Sequence, residues 1–364
     1  MPHTVANMVR KWSRELKTAN STINIDKATP EEISKFLLKT DSEYPSKYQI
    51  IESQIDFLSS ILYKEYEVTN NSQELPYPYR LRDWLNNVEN ENDKKTLFEL
   101  APKIFFIGQN EFSALYQSSF NGPIAHWLID QDSIDICDRN AQKKLRNSLA
   151  STWFCAITDS MQIAKFYHSN QLNGSDIRPD FRALSKLSDK DRVINYMRSQ
   201  SPKLKRIVLL EDFIATGSQM RTTVEFAATL HKNNQIPVLL TPLVICKSGY
   251  KSAQYLAKKH KNISFEPTLV LDDSIIIPIN KESKEDKFIE KLRKVILKTY
   301  SSVCGETSIN YYKPPYGPFG YGANTENGGL IVVLYTNCPD NTLPLIHYNS
   351  NPSWKALFPR SSRL

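Results

Sequence analysis

The sequence of 364 residues lacks the short motifs that mark several common enzyme classes. It contains no Gly-x-x-x-x-Gly-Lys-Ser/Thr loop, no Gly-x-Gly-x-x-Gly after a strand, no Gly-x-Ser-x-Gly turn and no His-Glu-x-x-His pair. These absences exclude the usual signatures of P-loop nucleotidases, dinucleotide-binding enzymes, serine hydrolases and zinc proteases.

Cysteine and histidine are also sparse, and neither is arranged as metal ligands would be. The six histidines show no ligand-like pairing, which argues against a structural metal. The cysteines have no paired spacing, which argues against zinc ribbons and a disulfide framework. We expect buried free thiols at all five positions, which are Cys137, Cys155, Cys246, Cys304 and Cys338.

Long apolar runs are missing as well. No stretch approaches the roughly 20 apolar residues that span a bilayer. The opening Met1-Pro2-His3 resembles neither a signal peptide nor a myristoylation site. We therefore expect a cytoplasmic protein with no membrane partner.

Composition is that of a folded protein, with 40% hydrophobic and 23% charged residues. The formal net charge of +7 is concentrated in a few segments. The basic segments are 203–206, 258–261, 287–298 and the carboxyl-terminal tail. Each is open to two interpretations, a solvated helix face or a contact with nucleic acid or a phosphorylated substrate.

The pattern along the chain predicts three regions. Residues 1–78 are predicted to be helical, and Ile51, Ile55, Leu58 and Leu62 repeat along one helix face. Residues 79–148 are predicted to be a helical extension, in which 104–107 fits either a strand or a buried helix turn. Residues 149–364 are predicted to form an α/β domain ending in substrate or hood elements.

The most informative segment begins with four apolar residues at 207–210. Such a run suits a central parallel strand that is covered on both faces. Glu211 and Asp212 follow at the predicted carboxyl end of the strand, where open α/β sheets place their ligands. A small turn comes next and leads into a helical pattern; its residues are Ala215, Thr216, Gly217, Ser218 and Gln219.

This order of residues matches the chemistry of a sugar phosphate. Carboxylates accept hydrogen bonds from ribose hydroxyls, while a small turn at a helix N-terminus donates N–H groups to phosphate. The segment resembles the phosphoribosyl pyrophosphate (PRPP) motif of type I phosphoribosyltransferases, and departs from it at Gln219, where that family usually has Thr. The alternative is an ordinary strand, turn and helix cap with a solvated acidic pair.

Two other segments carry candidate site residues. A strand-loop-helix unit near 153–168 places Thr158, Asp159 and Ser160 where these transferases hold pyrophosphate, although a capped helix start explains them equally well. Arg178 and Arg182 are candidates for a mobile hood that clamps a diphosphate, or for surface ion pairs. Apolar runs at 238–240, 268–271, 275–279 and 330–334 are predicted to extend one sheet.

Five segments together resemble the phosphoribosyltransferase-like family of bacterial conflict systems, namely Trp84-Leu85, 158–160, 177–180, 211–213 and 341–344. The resemblance spans roughly residues 80–360. It implies a mostly parallel type I phosphoribosyltransferase-like sheet flanked by helices. It also implies a toxic effector of antiviral defence, encoded beside retron reverse transcriptases and restrained by a partner such as a reverse transcriptase with its nucleic acid.

If the protein is an enzyme, the resemblance implies that Mg²⁺ enters with PRPP or a related ribose phosphate, and that no metal is held directly by the protein. Glu211 and Asp212 would then be the catalytic pair. The alternatives are a catalytically silent sensor of PRPP or a nucleotide, and a nucleic-acid-binding adaptor. An oligomer is compatible with each.

Overall fold

The computed structural model describes residues 45–67, 75–172, 180–230, 236–281, 283–304, 316–324, 327–350 and 353–360. The chain divides into two compact units. One is residues 109–275, and the other combines residues 1–108 with 276–364. The limits of these units differ from the predicted boundaries after residues 78 and 148, which remain predictions.

Helices supply most of the regular structure in both units. In chain order, the described α-helices are α1 (Pro45–Ile61), α2 (Tyr77–Leu85), α3 (Glu91–Leu100), α4 (Gln109–Ser119), α5 (Ala125–Gln131), α6 (Ala141–Ala150), α7 (Ile163–Ser169), α8 (Phe181–Lys186), α9 (Lys190–Ser199), α10 (Ser218–Thr229), α11 (Lys247–Lys259), α12 (Lys287–Cys304) and α13 (Pro344–His347). Side-chain caps fix several starts: Asn90 accepts from two N–H groups of α3, and Asp189 accepts from one of α9.

Short and long strands are divided between the units. In chain order, the described strands are β1 (Phe105–Ile107), β2 (Thr152–Ala156), β3 (Arg206–Ile214), β4 (Val238–Cys246), β5 (Ile263–Phe265), β6 (Leu269–Leu271), β7 (Ile276–Ile277), β8 (Gly329–Leu330) and β9 (Val332–Leu334). The strand interpretation of 104–107 is therefore correct.

The sheet of the unit formed by residues 109–275 is wholly parallel, in the order β2-β3-β4-β5, and β6 also pairs with β4. Its two central strands are buried along nearly their whole length, β4 at every residue. Helices cover the sheet, which explains why the sequence here is apolar without alternation. The predicted fold class, a mostly parallel α/β sheet flanked by helices, is confirmed.

The predicted single sheet is wrong in its last two strands. The run at 268–271 does join the large sheet as β6, but β7 pairs with β8 and β9 pairs with β1 in separate two-stranded sheets. Where β7 pairs with β8, the two backbones approach closely, because a Cβ at Gly328 would lie 2.5 Å from the carbonyl oxygen of Ile277. The apolar runs therefore predicted the positions of the strands correctly, but they did not predict which strands pair.

Two smaller predictions can be checked against burial. Ile51 and Ile55 are buried on α1, as the helical repeat predicts, whereas Leu58 is partly buried and Leu62 lies just beyond the end of the helix. Cys155, Cys246, Cys304 and Cys338 are buried and free, but Cys137 is exposed, so the expected burial is wrong there. The reason is local: Cys137 lies in an irregular turn before α6, where its N–H donates to Asp135. Within the described part of the chain, no helix combines the length and apolarity needed to cross a membrane.

Candidate active site

The acidic pair lies in the last half of β3. This strand continues to Ile214, four residues beyond the predicted apolar run, because Phe213 and Ile214 pair with Val244 and Ile245 of the long neighbouring strand. Glu211 and Asp212 are both buried, at 4% and 5% exposure. Two carboxyl groups at such exposure require polar partners.

Those partners come from the loop that follows β2. The N–H group of Thr158 donates to Glu211 Oε2 at 2.9 Å, and its hydroxyl bonds to Oε1 of the same carboxyl group. Ser160 Oγ donates to Asp212 Oδ1 at 2.9 Å, and the two hydroxyl oxygens lie 2.6 Å apart. Parallel pairing of β2 and β3 brings this loop to the acids, and joins two segments that are 53 residues apart.

The turn after β3 has the conformation that a glycine permits. Gly217 has φ of 84°, in the left-handed region, and immediately precedes α10. The Thr216 and Ser218 hydroxyl oxygens lie 3.2 Å apart, and Ser218 and Gln219 are exposed. The first N–H groups of a helix have no intrahelical acceptor, so this turn presents donors at the positive end of the α10 dipole.

Helix α11 holds the turn in place, a role that the sequence did not indicate. Gly249 N–H and Ser248 Oγ donate to the carbonyl oxygen of Ala215 at 2.9 Å and 3.0 Å. A Cβ at Gly249 would lie 2.7 Å from Ile214 Cγ2 and 2.8 Å from Ala215 O. Only glycine fits this contact, and the one sequence signal is a glycine three residues after a buried strand.

The hood candidates have different outcomes. Arg178 lies outside the described residues. Arg182, in the first turn of α8, places Nη1 3.1 Å from Asp159 Oδ1 and Nε 3.7 Å from Asp180 Oδ2. The structure therefore joins a hood candidate to a pyrophosphate-loop candidate through a partly exposed ion pair.

These features agree with the outcome of a comparison with known families. The model of one family, PRTase-CE, matches residues 81–360, which is most of the chain. The chain belongs to the PRTase-CE family. Comparisons with curated proteins and with solved structures gave no match. Membership makes the protein phosphoribosyltransferase-like, and the matched range includes every candidate site residue.

In this PRTase-CE protein, the surroundings of Glu211 shift its pKa. Burial, and next the adjacent charge of Asp212, raise the pKa of Glu211 well above its ordinary value of 4.5, while the bonds from Thr158 oppose the rise. The raised pKa favours the protonated form of Glu211. Buried groups with strongly perturbed pKa values cluster at functional sites.

The donor set of the PRTase-CE site is made of oxygen and backbone nitrogen. Among the described residues, no group of three or more His, Cys, Asp or Glu side chains is arranged to hold a metal ion. Carboxylate and hydroxyl oxygens are nevertheless ligands that Mg²⁺ accepts, and it commonly arrives with substrate phosphates. The residues present therefore fit an ion that a diphosphate brings with it.

Proposed function

We propose that this PRTase-CE protein binds PRPP, or a related ribose phosphate, and transfers or hydrolyses the phosphoribosyl group. The observation that carries the proposal is the hydrogen-bonded connection of Thr158 and Ser160 to Glu211 and Asp212. It joins the loop suited to a diphosphate to the acids suited to a ribose. A turn with a purely structural role would not require both this loop and the buried acidic pair.

The 5′-phosphate is assigned to the turn at 215–219. Left-handed Gly217 removes the Cβ that would otherwise obstruct a close backbone approach, and α10 begins at the next residue. Thr216 and Ser218 add hydroxyl donors, and Gln219 adds an amide. Charge-assisted hydrogen bonds of this kind are about twice as strong as neutral ones.

The two acids are assigned different tasks. Both oxygens of Glu211 are engaged by Thr158, so Glu211 acts as a positioning residue that holds the diphosphate loop against β3. Asp212 is the acceptor for ribose hydroxyls and the anion nearest the reacting carbon. Asp212 accepts at Oδ1 from the Ser160 hydroxyl and from the Phe213 N–H, which fixes the orientation of its carboxyl group.

The diphosphate is assigned to the region around Asp159, Ser160 and Arg182. In the structure described, Arg182 pairs with Asp159. A bound diphosphate is a stronger partner than one carboxylate, because a guanidinium can donate to two of its oxygens at once. When bound with the diphosphate, Mg²⁺ supplies charge neutralisation of the leaving group.

The chemistry follows from this placement. The bond between the sugar C1′ and the diphosphate oxygen breaks, and positive charge develops on the ribose ring as the new bond forms. Asp212, fixed near the ring hydroxyls, stabilises that charge electrostatically, and the turn at 215–219 holds the far end of the substrate. The acceptor is a base, a nucleotide, a nucleic acid or water.

A catalytically silent sensor is the second candidate, and one observation favours it. Gln219 takes the place of a Thr hydroxyl that the PRPP motif usually provides, which leaves the phosphate turn with one hydroxyl fewer. A sensor would bind PRPP through the same residues but release no pyrophosphate. The nucleic-acid-binding adaptor would do neither.

The cellular role we propose rests on family membership alone. The protein would act in the bacterial cytoplasm as a toxic effector of antiviral defence, restrained by a partner such as a retron reverse transcriptase with its nucleic acid. Release from that partner would expose the site to PRPP. Self-association of the chain is compatible with this role.

The test is pyrophosphate release from PRPP, measured with and without Mg²⁺ for the wild type and for Asp212→Asn. An enzyme releases pyrophosphate only with Mg²⁺, and the variant loses the activity. If the protein is a sensor, the wild type binds PRPP, but neither the wild type nor the variant releases pyrophosphate. Release that continues unchanged in the variant would refute the assignment of Asp212.

A further inference from the structure

The basic segment singled out in the sequence at 287–298 has no place in the proposed site. It forms most of α12, which carries five basic side chains and one acidic one in its 18 residues. Lys287, Lys291, Lys294 and Lys298 recur at intervals of four, three and four, so they lie along one face of the helix. We call these four residues the lysine ridge.

The ridge faces solvent because the opposite face of α12 is the one that packs. All four lysines are exposed, whereas the helix buries five aliphatic or hydroxyl residues, namely Leu292, Val295, Ile296, Thr299 and Val303. Arg293, the fifth basic residue, is buried and pairs with Glu285. The ridge therefore is not a by-product of core packing, since none of its residues contributes to the core.

Local acids neutralise only half of the ridge. Lys294 pairs with Glu290 at 2.8 Å and Lys298 with Asp93 at 2.6 Å, both at exposed lysines. Lys287 and Lys291 have no ion pair with any residue that the structure describes. Exposed pairs of this kind are weak and exchange readily with other anions.

The dimensions suit a repeating anion. The 11-residue interval from Lys287 to Lys298 corresponds to about 16 Å along a helix that rises about 1.5 Å per residue. One strand of a duplex places a phosphate about every 3.4 Å of its axis, so the ridge spans about five phosphates. Lysine acts as a flexible point charge and needs no fixed ligand geometry to contact such a backbone.

Other kinds of binding partner match the surface of α12 less well. A membrane-binding helix exposes an apolar face, but α12 exposes one large apolar side chain, Leu297. A protein partner needs aromatic or aliphatic anchors, and single-stranded nucleic acid needs exposed rings for stacking. Both aromatic rings of α12, Phe288 and Tyr300, are half-buried, and the Tyr300 hydroxyl donates to the Tyr316 carbonyl oxygen.

We propose that the lysine ridge binds the phosphate backbone of a duplex nucleic acid without reading its sequence. This interaction does not depend on PRPP binding and would persist if the proposed reaction were absent. It requires only that phosphates contact the two lysines that have no described partner, and displacement of Glu290 and Asp93 by phosphate would add the other two lysines. Two to four phosphates are contacted, according to whether both displacements occur.

The experiment is fluorescence anisotropy of the full chain with labelled duplex DNA and duplex RNA of mixed sequence, over about 50 to 200 mM salt. The wild type should bind both duplexes, with a log-log salt slope of about −2 to −4. Lys287→Glu/Lys291→Glu should weaken binding at least about tenfold and make the slope shallower by about 2. Thermal unfolding checks that each variant is folded. If the double Glu variant misfolds, Lys287→Gln/Lys291→Gln is used in its place.

The control reverses the same number of charges elsewhere. Lys258 and Lys261 are exposed lysines near the end of α11, in the other compact unit. Lys258→Glu/Lys261→Glu should leave duplex binding unchanged. Equal losses in the two double variants would show an effect of net charge alone and overturn the proposal. So would binding to vesicles rich in anionic lipid, or to single strands, that is tighter than binding to either duplex.

Discussion

Both side-chain oxygens of Glu211 are hydrogen-bonded to one residue, Thr158, which lies 53 positions earlier in the chain. The pair fastens the loop after β2 to the middle of the neighbouring strand. A carboxyl group engaged in this way on both oxygens is suited to shaping a site rather than to holding a ligand.

Removal of Glu211 should therefore destabilise the fold as well as the site. Glu211→Ala leaves the partly buried Thr158 N–H group without its acceptor and creates a cavity, which should lower the free energy of unfolding by about 2–4 kcal/mol. Urea denaturation measures the change. Glu225→Ala on α10, which removes a surface carboxyl group paired at 3.6 Å with Lys259, should change stability by less than about 1 kcal/mol.

Glu211 should also make stability depend on pH in a defined direction. Because its pKa is higher in the folded protein than its ordinary value of 4.5, its contribution to folding is complete below that value. The contribution is then lost as pH rises through the raised pKa. The stability of the wild type relative to Glu211→Gln should thus fall over the pH range that begins near 4.5 and extends through the raised pKa. A relative stability that rises over this range would contradict the raised pKa.

The ion pair of Arg182 with Asp159 predicts a selective effect on the diphosphate. Arg182→Ala should weaken PRPP binding about tenfold, the equivalent of about 1.4 kcal/mol, and leave ribose 5-phosphate binding unchanged. Calorimetric titration with the two ligands makes the comparison. The matched control is Arg192→Ala, which removes an exposed arginine that pairs with Asp189 at 3.4 Å. An equal loss for both ligands would show that Arg182 supports the fold instead.

Because Gly249 supports the turn after β3, its substitution should lower the affinity for phosphate even though Gly249 itself does not contact the phosphate. Gly249→Ala places a methyl group 2.7 Å from Ile214 Cγ2 and should destabilise the protein by about 1–3 kcal/mol while weakening ribose 5-phosphate binding. Thermal unfolding and titration measure the two effects. At Gly122 a Cβ would meet nothing within 4 Å, so Gly122→Ala should leave both quantities nearly unchanged.

The sequence predicted best where the chemistry is local. The apolar run at 207–210 indicated a buried parallel strand, and Thr216-Gly217-Ser218 indicated a turn at a helix start, because φ, burial and hydroxyl placement depend on neighbouring residues. Reasoning from neighbouring residues does not predict features that depend on other segments, such as the length of a strand. Pairing between β3 and β4 continues to Ile214, so β3 is longer than its apolar run and the two acids lie inside the strand rather than beyond it.

Contacts between distant segments account for the rest of what the sequence left open. Thr158 was as consistent with a helix cap as with a pyrophosphate loop, and its hydrogen bonds to Glu211 arise only because β2 lies beside β3. Arg182 gave no sign that its partner is Asp159. The two-stranded sheets were missed because a short apolar run does not specify its partner.

Calorimetric titration of PRPP with Mg²⁺ into wild type, Asp212→Ala and Asp191→Ala most directly tests whether the acids of β3 form a ribose-phosphate site. Asp191 is an exposed carboxylate on α9 and serves as the matched control. The wild type and Asp191→Ala should bind equally and only with Mg²⁺, while Asp212→Ala should lose about ten- to hundredfold in affinity. Binding of equal strength in all three proteins would contradict the site.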